Sequence, residues 1–192
     1  MNRQAKLIQQ MTDKDILINL YVTQLFMLSI AFVLGWIFFD SWESFWNLFQ
    51  WNFREIFIFG GGIAFVVILI DIVLYRFLPS KWLDDGGINE RVFRNRHPAH
   101  ILVLALFIAI SEEVLFRGIL QTNLGFIPAS LLFAVVHVRY ISKVVLFTMT
   151  VSVSFVLGWA FLHTGNILVP IFAHFLIDFV LGLLIQKGKT KV

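Results

Sequence analysis

The chain has 192 residues, 59% of them hydrophobic and only 14% charged, with 22 Phe and 6 Trp. A soluble domain carries about 25% charged residues, so this composition excludes an ordinary water-soluble fold and points to one polytopic membrane domain. The net charge of +3 does not signal nucleic acid, because the basic residues lie in loops beside apolar spans, where lipid headgroups are the simpler partner. The lack of Cys excludes disulfides, a thiolate nucleophile and thiolate metal ligands.

The first apolar block, residues 17–39, is longer than the core of a cleavable signal and lacks a small-x-small site. It is followed by "DSWESFWNLFQWNFRE", rich in Trp (Trp42, Trp46 and Trp51). That pattern predicts an amphipathic stretch lying at headgroup level. A second span is predicted over 56–78 and is closed by "FLPSKWLDDGG". The third runs over 101–120. After "NLGFIP" comes a short fourth, 126–138, reaching only about 20 Å at 1.5 Å per residue. It is either extended by its neighbours or partly re-entrant. The fifth covers 144–162 and the sixth 167–185, separated by "HTGN".

The expected fold is an all-α polytopic membrane helix bundle of about six transmembrane helices, in contact with the lipid bilayer. Basic residues set its orientation. Arg3, Lys6, Lys14, Lys81, Arg91, Arg94, Arg96, Arg139, Lys143, Lys187, Lys189 and Lys191 fall on one side, and Arg54 alone on the other. Both termini are therefore expected in the cytoplasm, and 40–55 outside.

Eight ionisable residues inside the spans need a reason, since a charge at the bilayer centre costs several kcal/mol unless paired or hydrated. Asp71 and Arg76, five apart near the cytoplasmic interface, read as a packing or snorkelling pair; the others are Glu112, Glu113, Arg117, His137, His174 and Asp178. Taken singly, Glu113 and Arg117 read as a packing ion pair four residues apart, and His137 as a core histidine. Taken together they differ. Counted along their spans, Glu112, His137, His174 and Asp178 fall within a band of about 6 Å near the midplane. Three helices aim polar groups at one level, as a shared site requires. Neither histidine has an evident structural partner in the sequence.

"EEVLFR" (Glu112–Arg117), "FAVVH" (Phe133–His137) and "HFLID" (His174–Asp178) resemble, in order, the EExxxR, FxxxH and HxxxN/D motifs of the CAAX protease and bacteriocin-processing family of intramembrane proteases. The resemblance covers about residues 97–185. It divides the chain into an N-terminal two-span segment, 1–96, and a protease-like core, 97–192. It implies an intramembrane endopeptidase, in which Glu112 activates water and His137 helps hold that water or a metal. His174 and Asp178 would stabilise the oxyanion or position the water, and Glu113 and Arg117 would support the site. The substrate would be a peptide or membrane protein, and the compact six-span form suggests a bacterial cell membrane as the setting.

One departure is Asp178, where the family often has Asn. Asn donates hydrogen bonds and ionised Asp does not. Glu112, His137 and His174 form a set able to hold zinc with an open position, and a metal-free glutamate mechanism is equally open. The alternatives are a non-catalytic immunity or binding protein on the same fold and, further off, a small transporter, since midplane acids and histidines also serve relays.

Overall fold

Helices that are apolar on every face bury themselves in lipid or in one another, and this chain is built almost wholly of them. The computed structural model describes residues 10–188, and the described residues contain helices and no strand. The helices are α1 (Asp13–Phe38), α2 (Trp42–Trp46), α3 (Glu55–Phe77), α4 (Ser80–Leu83), α5 (Ile88–Phe93), α6 (Pro98–Leu124), α7 (Phe126–Val136), α8 (Val144–Thr164) and α9 (Leu168–Gln186). Five of them, α1, α3, α6, α8 and α9, are long and apolar enough to cross a membrane. With the short α7 they make a polytopic bundle of about six spans.

Local chemistry sets the ends. Thr12 and Asp15 form a capping box at the start of α1: the Thr12 hydroxyl accepts from Asp15 N–H at 3.2 Å, and the Asp15 carboxylate accepts from Thr12 N–H at 2.8 Å. Pro98 occupies the first turn of α6, where its missing N–H costs nothing. Gly165, at φ +63°, closes α8 in the left-handed conformation that glycine tolerates best.

The ends also show which connections share a side. Arg91 pairs with Asp13 at 2.7 Å and bonds the Met11 carbonyl. Gln186 donates to Arg96 O at 2.7 Å, Arg139 to Asn89 at 3.5 Å, and Lys143 lies 4.0 Å from Asp84. The start of α1, the 78–97 connection, the 137–143 stretch and the end of α9 therefore meet at one end of the bundle. At the other end Ile167 N–H donates to Leu48 O at 2.9 Å, and Asn166 donates to Gln50 O at 2.7 Å. Arg3, Lys6, Lys189 and Lys191 lie outside the described residues. The fourth apolar block ends as a helix at Val136, and the irregular stretch 137–143 continues it to Asn89 and Asp84. Irregular backbone at membrane depth is tolerated where protein covers it or a cavity adjoins it.

The centre of the bundle is α6. Protein covers 56% of its apolar window, against 17% for α1. It packs along α9, and α1 and α7 flank its second half. The Trp-rich segment folds back over this half. Phe45 of α2 is buried in one cluster with Phe116, Ile119 and Phe133, while Trp46 and Trp51 stay exposed as an interfacial residue should. Close approach of α3 to α9 depends on Gly60. A Cβ there would stand 2.8 Å from the Val169 carbonyl oxygen, and that backbone cannot step aside. Gly60→Ala is expected to cost about 1–3 kcal/mol, read as a lower melting temperature in detergent. Unchanged melting would mean that the two helices do not touch there.

Candidate active site

Glu112 and Glu113 are neighbours on α6, so their side chains leave the helix about 100° apart. They go to different partners. Glu112 is buried, and its Oε1 accepts from the side-chain amide of Gln24 on α1 at 3.1 Å. Its Oε2 lies 4.0 Å from His137 Nε2. His137 follows the last turn of α7 and donates from Nδ1 to the Phe133 carbonyl at 2.8 Å, which ties the ring back to its own helix and leaves Nε2 facing the glutamate.

Glu113 faces α9 instead. Its Oε1 is 2.8 Å from His174 Nδ1, and its Oε2 is 3.2 Å from Arg117 Nε. Both Glu113 and Arg117 are fully buried. Arg117 donates through Nη2 to the Ser154 carbonyl of α8 at 2.9 Å, and the Ser154 hydroxyl donates to Ser130 O of α7 at 2.9 Å. The ion pair thereby joins three helices and orients an imidazole from a fourth. Among the described residues Arg117 Nη1 and Glu113 Oε2 have no hydrogen-bond partner, so the 3.2 Å contact is an ion pair without an aligned hydrogen bond. His174 Nε2 stands 3.6 Å from Asp178 Oδ2, one turn along α9.

The structure thus gathers the six sequence-predicted residues as two linked groups, Glu112 with His137 and Glu113 with Arg117, His174 and Asp178. The Phe133 ring joins them. Its centroid is 4.5 Å from the Arg117 guanidinium carbon, 4.7 Å from the His137 ring and 6.2 Å from the His174 ring. The expectation that neither histidine has a structural partner is corrected: Phe133 O holds one, and Glu113 holds the other. The open edge of the cluster is formed by His137 and Asp178, whose side chains keep 21% and 27% exposure. Beyond His137 lies Tyr140, stacked on it at 6.1 Å and accepting from Arg139 at 2.5 Å.

Glu112, His137 and His174 do not fit as a metal cage. Among the described residues no three His, Asp or Glu side chains are grouped to hold an ion. His174 Nδ1 is taken up by Glu113, and its Nε2 stands nearest Asp178. An apolar recess of about 350 Å³ lies between α1, α2 and α6, lined by Leu28, Ala31, Phe32, Trp42, Phe45 and Val114 among others and by none of the six residues.

Sequence reasoning missed Gln24, Ser111 and Ser154. Gln24 left a signal, since an amide inside an apolar span also needs a partner. The two serines left none, because a serine hydroxyl within a helix can bond a carbonyl one turn back, and Ser111 has Phe107 O within reach at 2.8 Å as an alternative to Gln24.

Fold and site together define a multi-pass integral membrane protein with a buried glutamate–histidine–arginine cluster at its centre. Residues 95–180 match the family model described as type II CAAX prenyl endopeptidase Rce1-like. A protein of Bacillus subtilis (strain 168) described as uncharacterized, YpbD, is 45% identical over 161 residues, which are 83% of this chain and 84% of that one. No solved structure gives a significant match. The chain belongs to the Rce1-like family.

Proposed function

We propose that this protein is an intramembrane endopeptidase that hydrolyses a peptide bond with water activated by Glu112 and His137. The observation that carries this reading is the 4.0 Å gap between Glu112 Oε2 and His137 Nε2. It is too wide for a direct hydrogen bond and suits one water bridging two acceptors. Such a water points both its protons at the protein and its lone pair at the substrate carbonyl. Glu112 takes a proton as the oxygen attacks. His174, protonated on both ring nitrogens, gives Nδ1–H to Glu113 and donates from Nε2 to the oxyanion that develops. Glu113 holds His174 through Nδ1, and Arg117 and Ser154 hold Glu113. The proton taken by Glu112 is then given to the leaving amine.

The test is a comparison of membrane proteomes from cells carrying the wild-type or the Glu112→Gln chain. A protein that accumulates uncleaved only with the variant is the expected result. Identical proteomes would defeat the reading. Proton flux through proteoliposomes in their place would make the protein a transporter.

The same reading sets orientation. With twelve basic residues against one, the end of the bundle holding the 78–97 and 137–143 connections faces the cytoplasm. Reporter fusions at Trp51 and Lys187 are expected to report opposite sides, with Lys187 inside. A shared side, or Trp51 inside, would overturn it.

A further inference from the structure

We infer that Gln24 of the first span is a positioning residue for Glu112, holding its carboxylate through a clamp anchored on Ser111. Most of α1 faces outward. Its buried residues are Ile16, Gln24, Ala31 and Gly35, and Gln24 is the polar one among them. It lies 88 residues from Glu112 and outside the 95–180 match to the family model.

The clamp has a direction. Gln24 Oε1 accepts from the Ser111 hydroxyl at 2.5 Å, and Gln24 Nε2 donates to Glu112 Oε1 at 3.1 Å. Ser111 and Glu112 are consecutive, so one amide grips two neighbouring side chains of α6 with its two ends. The hydroxyl occupies the oxygen end, which turns the N–H end to the carboxylate. A reversed amide would set its oxygen against a carboxylate oxygen, two acceptors facing each other. Among the described residues, Oε1 is the Glu112 oxygen that is held by a hydrogen bond. Oε2 is left toward His137, 4.0 Å away. The first span therefore fixes the plane of the carboxylate from behind and leaves the other oxygen to the reaction.

This role rests on the proteolytic reading for its effect on rate, but not for the clamp itself. The test uses the full chain in lipid nanodiscs. Infrared difference spectra identify the Glu112 carboxyl band as the one lost in Glu112→Gln. Gln24→Leu keeps the bulk and removes both polar ends. It is expected to move that band, because the band reports hydrogen bonds to this carboxyl group. Ser111→Ala is expected to move it the same way by less, and it serves alone should Gln24→Leu fail to insert. On an identified substrate, Gln24→Leu is expected to lower kcat by about tenfold to a hundredfold, as a small misplacement of a reacting group does, with KM within about twofold.

A Glu112 band unmoved in the variant overturns the proposal, as does a moved band with unchanged kcat. A moved band in a protein whose wild-type form cleaves nothing defeats the protease reading and supports the clamp.

Discussion

Glu112→Gln is expected to lower proteolysis by about 10²–10⁴-fold, the range that a positioned general base contributes, and to leave the protein inserted and folded. The structure supplies the reason for both halves. Gln keeps the volume of Glu and keeps an oxygen able to accept from Gln24, so the contact between α1 and α6 survives. What it loses is a carboxylate oxygen, 4.0 Å from His137 Nε2, that can take a proton from water. His137→Ala is expected to act in the same direction by removing the other acceptor. The measurement is cleavage of an identified substrate, with melting of each variant beside it. Substantial turnover by Glu112→Gln would remove Glu112 from the role of base.

Glu113→Gln is expected to fail in a different way. It leaves the Arg117 guanidinium buried with Ser154 as its remaining close polar contact. Breaking a buried pair from one side costs about 3–5 kcal/mol, which for a chain of this size lowers the melting temperature by on the order of 10 °C. Lost activity should follow the lost fold. The contrast is the double variant Glu113→Gln with Arg117→Met. Removing the orphaned charge should recover most of the stability, since apolar replacement of a whole buried pair is often neutral. It should not recover activity, because His174 loses the carboxylate that orients it. If Glu113→Gln melts like the wild type and is inactive, Glu113 is itself the base.

Much of this protein is legible in one dimension, because the membrane reads sequence in blocks. The predicted spans 17–39, 56–78, 144–162 and 167–185 stand against helices 13–38, 55–77, 144–164 and 168–186. An apolar run must be helical in lipid, where nothing else can satisfy its backbone. The six polar residues stood out for the same reason. A charge in an apolar block is expensive and therefore visible.

Composition and spacing could not decide who faces whom. Glu112 and Glu113 differ by a single residue, and which of them meets His137 depends on how α6 is rotated in its packing. That rotation is not a simple helical wheel, since Val114–Gln121 is wound as a π-helix. His174 reads equally well as a partner of water or of a carboxylate until α9 is laid against α6, where its Nδ1 meets Glu113. Gln24 contributes from the other end of the chain, in a segment the sequence motifs do not reach.

Hydrophobicity is a property of each residue, so the sequence by itself determined the spans, the class of fold and the short roster of candidate residues. Hydrogen bonds are properties of pairs with direction and a reach of about 3 Å. Only the tertiary structure could therefore sort that roster into a glutamate open to His137 and a glutamate locked to Arg117 and His174, and add the amide that holds the first in place.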